Sequence, residues 1–281
     1  MVKVPERTLV VSPHSDDAVM SGYGILSKKV LPGPLDLFTA FSWTNYSVIL
    51  QGSIPGPRTM LRLIPRPAEL LRSISKRGGR LGSSPKGMAK KLLDLEEPSR
   101  IARVRLIEDL AFSKKIGASY HYSNLPDSKI RNGSGISDPS RPLETESEML
   151  TELYRVLRRL KSKIGAQVIV APWPYGPKQH IDHRLLHEVA IRIAEDTGVS
   201  LLYLDDLPYS RRPLVATPDR RGIPYFPVNV RLDLADMRKK FKAMRIYESQ
   251  MIPRYFEAVR EPPLGNSPQL YSETLWKPSR D

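Results

Sequence analysis

The 281-residue sequence contains no cysteine, only five histidines and only three tryptophans. Without thiols, disulfide frameworks, thiolate zinc sites, iron–sulfur clusters and cysteine nucleophiles are all excluded. Any metal must be held by His, Asp and Glu. Long apolar runs are also missing, and nothing approaches the roughly 18–20 residues that a membrane-spanning helix needs. The first residues, MVKVPERTLVVSPHSDD, hold an apolar run of only Leu9–Val11 before charged residues follow. That is not a secretory signal, so the expected location is the cytoplasm, at most peripheral to a membrane.

Acids are in short supply beside bases: 44 Lys and Arg face 30 Asp and Glu, a formal charge of +14. Such a balance suggests an anionic partner, but the charge is local. Residues 51–91 carry ten basic side chains and one acid, Glu69, which leaves +5 for the other 240 residues. The same stretch is rich in Gly, Pro and Ser (GSIPGPR, RGGRLGSSPKG), the composition of an inserted loop. The chain is therefore expected to be one domain over residues 1–281, interrupted by a basic insertion at about 47–97. Part of that insertion, Met60–Ile74, mixes Leu, Ile and Arg in an amphipathic manner. It could form a lip for an anionic or lipid-linked substrate or a contact with a membrane surface; the plain reading is a solvated loop. Aromatic residues are not interleaved with the basic ones, so a nucleic-acid partner is not expected.

The remaining sequence alternates apolar runs with amphipathic stretches. Thr8–Ser12 reads as a buried strand, followed by a helix across Asp17–Lys29 and a second strand over Leu35–Phe41. Ile101, Val104, Ile107 and Ala111 recur at helical spacing, with Gly117 as the stop signal and Tyr120–Tyr122 as a short strand. Leu150, Leu153, Tyr154, Leu157 and Leu160 mark one face of a helix that ends near Gly165. Gln167–Ala171 is a strong strand; a helix over Asp182–Glu195 and strands at Leu201–Leu204 and Val228–Val230 follow. Asp233 is placed to cap a helix bearing Leu234, Met237, Phe241 and Met244. Strands alternating with helices imply an α/β fold with a mostly parallel sheet and helices on both faces, Rossmann-like in plan.

In such sheets ligands bind beyond the carboxyl ends of the strands, and there the sequence concentrates its histidines. Pro13-His14-Ser15-Asp16-Asp17 follows the first strand, and His180-Ile181-Asp182-His183 follows the strand at Gln167–Ala171 and its loop. A hydrolytic zinc site needs three N/O ligands with an open position, a carboxylate to take a proton from water, and a group facing the leaving atom. The two clusters hold that inventory. Adjacent carboxylates at Asp16 and Asp17 point in different directions, and the i, i+3 spacing of His180 and His183 puts both rings on one side of a helix start. A simpler alternative is that Asp16 or Asp17, and Asp182, only cap the helices that follow. His183 and His187, four apart, form a rival ligand pair, although His183-Arg184-Leu185-Leu186-His187 lacks the Glu of a metalloprotease helix. His121 reads as a strand-end residue.

At these residues the chain resembles the PIG-L/LmbE-like family of zinc-dependent N-acetylglucosaminyl deacetylases. The family's P-H-P-D-D-E motif reads PHSDDA here, and its H-x-D-H motif is His180–His183. Weaker echoes are Arg105-x-x-Glu108-Asp109, with Ala111 and Ile116-Gly117, and Lys240-x-x-Ala243-Met244 with Ser249-Gln250. Ser15 stands where the family has Pro, and Ala18 where it has Glu. The resemblance implies His14, Asp17 and His183 as ligands of Zn2+, with Fe2+ as the other candidate ion, and Asp16 as general base. It further implies that His180 stabilises the tetrahedral intermediate and protonates the departing amine, and that Asp182 orients His180. The implied activity is removal of an N-acetyl or other N-acyl group from an N-acetylglucosamine-type amino sugar, free or in a glycolipid or other glycoconjugate. Arg105, Tyr175 and Lys178 are candidate substrate contacts; their plain alternatives are a surface ion pair to Glu108 or Asp109, loop packing, and solvated charge. The competing function is a basic module that binds nucleic acid or a membrane surface on a vestigial hydrolase core.

Overall fold

The structure, a computed structural model, describes residues 6–44, 97–132, 142–173, 180–207, 217–251, 255–256, 259 and 271–279. The basic insertion, including the 51–91 stretch, lies outside the described residues, as do Tyr175 and Lys178. In chain order the elements are β1 (Thr8–Ser12), α1 (Asp17–Ser27), β2 (Leu35–Thr39), α2 (Glu97–Ile116), β3 (Ser119–Tyr122) and α3 (Ser128–Asn132). A 3-10 turn at Leu143–Glu146 leads into α4 (Ser147–Ile164), then β4 (Val168–Pro172), α5 (Ile181–Thr197) and β5 (Ser200–Leu204). The chain continues through β6 (Thr217–Pro218), β7 (Pro224–Leu232), α6 (Leu234–Met244) and β8 (Tyr271–Pro278). Among the described residues no helix is long and apolar enough to cross a membrane.

These strands form one eight-stranded sheet of order β3-β2-β1-β4-β5-β8-β7-β6. The five strands from β3 to β5 are mutually parallel, whereas β8, β7 and β6 continue the sheet antiparallel. Strands β1, β2 and β4 are buried at every position, as expected when helices cover both faces of a parallel sheet. Alternate side chains serve opposite layers. Leu9, Val11, Ile169 and Ala171 pack with α4 and α5, while Val10, Val168 and Val170 pack with α1, Phe112 of α2 and α6.

The α/β plan read from the sequence is thus present, with one addition. The expected short strand at Val228–Val230 is the middle of nine-residue β7, whose partner along its length is β8. Helix ends follow the sequence signals. Gly165 and Gly198 close α4 and α5 in the left-handed conformation, and Asp233 caps α6 in a reciprocal capping box with Asp236.

Helix α1 is not regular. Gly22 leaves helical geometry at φ −140°, ψ 16°, and a buried ion pair takes up backbone groups on either side of the break. The Lys240 ammonium donates to the Met20 carbonyl at 2.6 Å and to Glu273 at 2.7 Å, and Glu273 accepts the Ile25 N–H at 2.9 Å. A Cβ on Gly24 would come within 2.3 Å of Leu232, so the helix lies close against β7. Lys240, the first residue of the Lys-x-x-Ala-Met echo, is therefore a structural residue that fixes the helix beginning at Asp17.

Candidate active site

The strand order reverses between β1 and β4, which run side by side while the chain departs from them in opposite directions. That switch point is where an open α/β sheet opens a crevice at its carboxyl end. The two His–Asp motifs follow these two strands and meet across the crevice.

The turn after β1 is held by its own polar groups. The Ser12 hydroxyl donates to the His14 carbonyl at 2.7 Å, and the His14 N–H donates to Asp17 Oδ2 at 2.8 Å. Asp16 occupies the N-cap position of α1 but makes no side-chain capping bond. The cap of α5 is His180, whose Nδ1 accepts the Asp182 N–H at 3.2 Å. Neither Asp16 nor Asp182 therefore serves as the cap that the simpler reading proposed, and both buried carboxylates are available to the site.

Carboxylates only accept hydrogen bonds, so the nearest carboxylate oxygen marks the ring nitrogen that keeps its proton when a cation takes the other. His14 Nε2 is 3.0 Å from Asp182 Oδ2, and His183 Nδ1 is 2.7 Å from Asp206 Oδ1. With a cation bound, Nε2 of His14 and Nδ1 of His183 stay N–H donors to these carboxylates, and the opposite nitrogens present lone pairs. Those lone pairs converge. His14 Nδ1 lies 3.2 Å from Asp17 Oδ2, His183 Nε2 lies 3.4 Å from the same oxygen, and the two nitrogens are 3.3 Å apart. These edges match a face of a tetrahedron whose vertices sit about 2.0–2.1 Å from its centre, the spacing of zinc with N and O ligands. Without a metal, ring protons bridge to the Asp17 carboxylate; a divalent cation can replace them, so the donor set fits a divalent metal. His180 also offers a ring nitrogen within 4.8 Å of those of His14 and His183, making a three-histidine candidate set.

Electrostatics agree with a site that favours positive charge. Burial opposes ionisation of the His14 ring, but the contacts with Asp17 and Asp182 outweigh it and raise its pKa well above the ordinary value. Burial likewise opposes ionisation of His183, and Asp206 and Asp17 outweigh it. The carboxylates that draw protons onto these rings also favour a metal cation. His180 behaves in the opposite way: burial, then the charge of His14, pushes it down to about 3. Burial and the adjacent Asp17 charge push Asp16 up to about 6.

The structure brings His14, Asp16, Asp17, His180, Asp182 and His183 together and corrects several surrounding assignments. Asp182 is 3.5 Å from His180 Nδ1, farther than from His14. Expected to orient His180, Asp182 meets that ring through its backbone N–H, while its carboxylate makes the shorter contact with His14. His187 stands apart from the three-histidine group, packed on Tyr203 with ring centroids 5.1 Å apart, and burial pushes it down to about 3. His121 has a definite partner, Asp36 at 2.7 Å.

Arg105 is buried at 2% exposure, and its charge acts on Asp16 and Glu108. The surface ion pair proposed for it is not what the fold makes. Its neighbours in the Arg-x-x-Glu-Asp echo tie layers together. Glu108 accepts the N–H and hydroxyl of Ser249, and Asp109 accepts hydroxyls of Thr39, Tyr120 and Tyr247.

Three contributors escaped sequence reasoning. Asp206 follows the apolar run Leu201–Leu204, a carboxylate directly after a strand, and that signal was there to be used. Ser128 and Arg131 of α3 reach Asp182 at 3.0 and 2.7 Å, but no periodicity or motif marks their segment.

No family model matches the chain. It is 26% identical over 251 residues to the 2'-N-acetylparomamine deacetylase of Streptomyces fradiae, covering 87% of this chain and 73% of that protein. Its fold matches the A40926 pseudoaglycone deacetylase Dbv21 with a TM-score of 0.60 at 21% identity, covering 98% and 97% of the two chains. A zinc-inhibited form of the teicoplanin deacetylase Orf2 matches with a TM-score of 0.61 at 18% identity, over 98% of each chain.

Proposed function

We propose, for a chain that belongs to the PIG-L/LmbE-like deacetylases, that it is a metal-dependent amidohydrolase removing the N-acetyl or another N-acyl group from an amino sugar carried in a glycoconjugate or biosynthetic intermediate. The observation that carries this reading is the convergence of His14 Nδ1, Asp17 Oδ2 and His183 Nε2 at 3.2–3.4 Å beside the carboxylate of Asp16, which makes no capping bond. Of the two candidate donor sets we choose the one with Asp17, because its edges all fall at 3.2–3.4 Å and we give His180 a separate task. The relationship to an acetylparomamine deacetylase, 26% identical, supports an amino sugar built into a larger molecule.

Zn2+, with Fe2+ as the alternative, would be held by His14, Asp17 and His183, and would supply Lewis-acid chemistry by lowering the pKa of water and polarising the amide carbonyl. Asp206 and Asp182 fix the ring nitrogens that face it. Asp16, raised to about 6, is suited to take a proton near neutral pH. It removes a proton from water as the water oxygen bonds to the amide carbon. His180 accepts the Asp182 N–H at Nδ1, so its own proton sits on Nε2, facing the Ser128 hydroxyl at 3.4 Å. Nε2–H can donate to the carbonyl oxygen as negative charge grows there. The capping bond occupies the second nitrogen, so we assign proton delivery to the departing amine to Asp16 rather than His180. The C–N bond breaks, the amine leaves with the returned proton, and the carboxylic acid left behind releases water's second proton to solvent or to the amine, giving a carboxylate. The buried Arg105 favours the charged forms of Asp16 and Glu108; Tyr175 and Lys178 remain candidate substrate contacts from the loop before His180.

The test is acetate release from a panel of N-acetylglucosamine substrates: free, aminoglycoside-linked, glycopeptide-linked, inositol-linked and lipid-linked. Each is assayed with wild type and with Asp16→Asn. Release from at least one linked substrate, lost in the variant, is the expected result; no release from any member would overturn the reading.

A further inference from the structure

Arg131 belongs to none of the motifs that frame the site, yet every contact of its guanidinium is with the layer behind it. Nη2 donates to Asp182 Oδ1 at 2.7 Å, Nε to Glu146 Oε2 at 3.0 Å and Nη1 to the Pro126 carbonyl at 2.7 Å. Its central carbon lies 5.2 Å from the centroid of the Phe41 ring, and that ring is 6.2 Å from the His14 ring. Asp182 has no solvent exposure. While one of its oxygens meets Arg131, the other takes His14 Nε2 and the Ser128 N–H, each at 3.0 Å. A carboxylate this deep is costly to ionise without a paired cation, and an ionised Asp182 is what holds the proton of His14 on Nε2.

We propose that Arg131 is a positioning residue for the metal site: by pairing with Asp182 and fixing its plane, it keeps the His14 Nδ1 lone pair turned toward Asp17 and His183. The inference rests on the reading of that trio as a zinc site. The three contacts point in different directions from one planar group, a fork that a lysine ammonium on a single stem does not reproduce. Glu146, the second carboxylate on the fork, anchors the guanidinium from the turn that leads into α4.

The test measures zinc affinity of the full chain by competition with a chromophoric chelator, with thermal unfolding of each metal-free protein alongside. The proteins are wild type, Arg131→Met, Arg131→Lys, Asp182→Asn, and the double variant Arg131→Met with Asp182→Asn. Arg131→Met is expected to weaken zinc about 10–100-fold, the usual effect of losing an outer partner of a ligating histidine. Arg131→Lys should recover part of that loss. In the Asp182→Asn background, Arg131→Met should cost less than about threefold, because the carboxylate it positions is already neutral. Should Arg131→Met fail to fold, Arg131→Lys carries the same test, with a smaller weakening expected. Wild-type affinity in a folded Arg131 variant, or a double variant in which the two losses multiply in full, would overturn the inference. A wild type that binds no zinc would instead remove the zinc-site reading, and this inference with it.

Discussion

Asp206 Oδ1 lies 2.7 Å from His183 Nδ1, and this contact decides which nitrogen of the fully buried His183 ring faces Asp17. Asp206→Asn keeps the size of the side chain but removes its charge. The variant is expected to bind zinc about 10–100-fold more weakly than wild type, as read by chelator competition, while its far-ultraviolet circular dichroism stays unchanged.

Asp16 stands outside the converging trio and is buried beside it. Asp16→Asn should therefore retain a full equivalent of zinc by elemental analysis and lose about 10²–10⁴-fold in kcat, the range of a general base. Loss of the metal together with activity would move Asp16 into the ligand set.

The Lys240–Glu273 pair is 2% exposed on each side and takes up the Met20 carbonyl and the Ile25 N–H around the break in α1. Lys240→Met leaves Glu273 buried without its cation and should cost about 3–5 kcal/mol in denaturant unfolding. Adding Glu273→Gln removes the stranded charge and should recover part of that loss. If the single and double variants prove equally unstable, the cost lies in packing rather than in charge.

Burial pushes the Glu108 carboxyl up to about 8, against the hydrogen bonds from Ser249 and the charge of Arg105. In the unfolded chain it ionises near its ordinary value, about 4.3. Between these values the folded protein holds one more proton than the unfolded chain, so this group makes stability fall as pH rises, by at most about 1.4 kcal/mol per pH unit, and the loss is complete above about 8. Glu108→Gln keeps both contacts with Ser249 and should lack that decline. Denaturant midpoints from pH 5 to 9 check it: the variant should gain on wild type up to about pH 8 and no further above it.

Much of the site was legible because it follows strands that are themselves legible. The apolar runs before His14 and before the His180 loop place both motifs at the same end of a parallel sheet, and the fold brings them together there. Their pairing was harder to read. Asp182 is two residues from His180 in sequence, yet it holds His14, 168 positions away, because the helix cap claims the nearer ring. Arg131 and Ser128 were invisible for a related reason: they lie on a five-residue helix with no apolar period, and only tertiary structure brings them to Asp182. Strand β8 was missed because Leu275 and Trp276, adjacent in sequence, are both fully buried, which defeats the alternation by which a half-exposed strand is recognised.

The central claim is that Asp17, rather than His180, completes the metal site with His14 and His183. Anomalous diffraction at the zinc edge from crystals of the zinc-loaded protein tests it most directly. One peak is expected within about 2.0–2.2 Å of His14 Nδ1, Asp17 Oδ2 and His183 Nε2, with His180 unbonded. A peak coordinated by the three histidines with Asp17 turned away, or no peak among these residues, would contradict it.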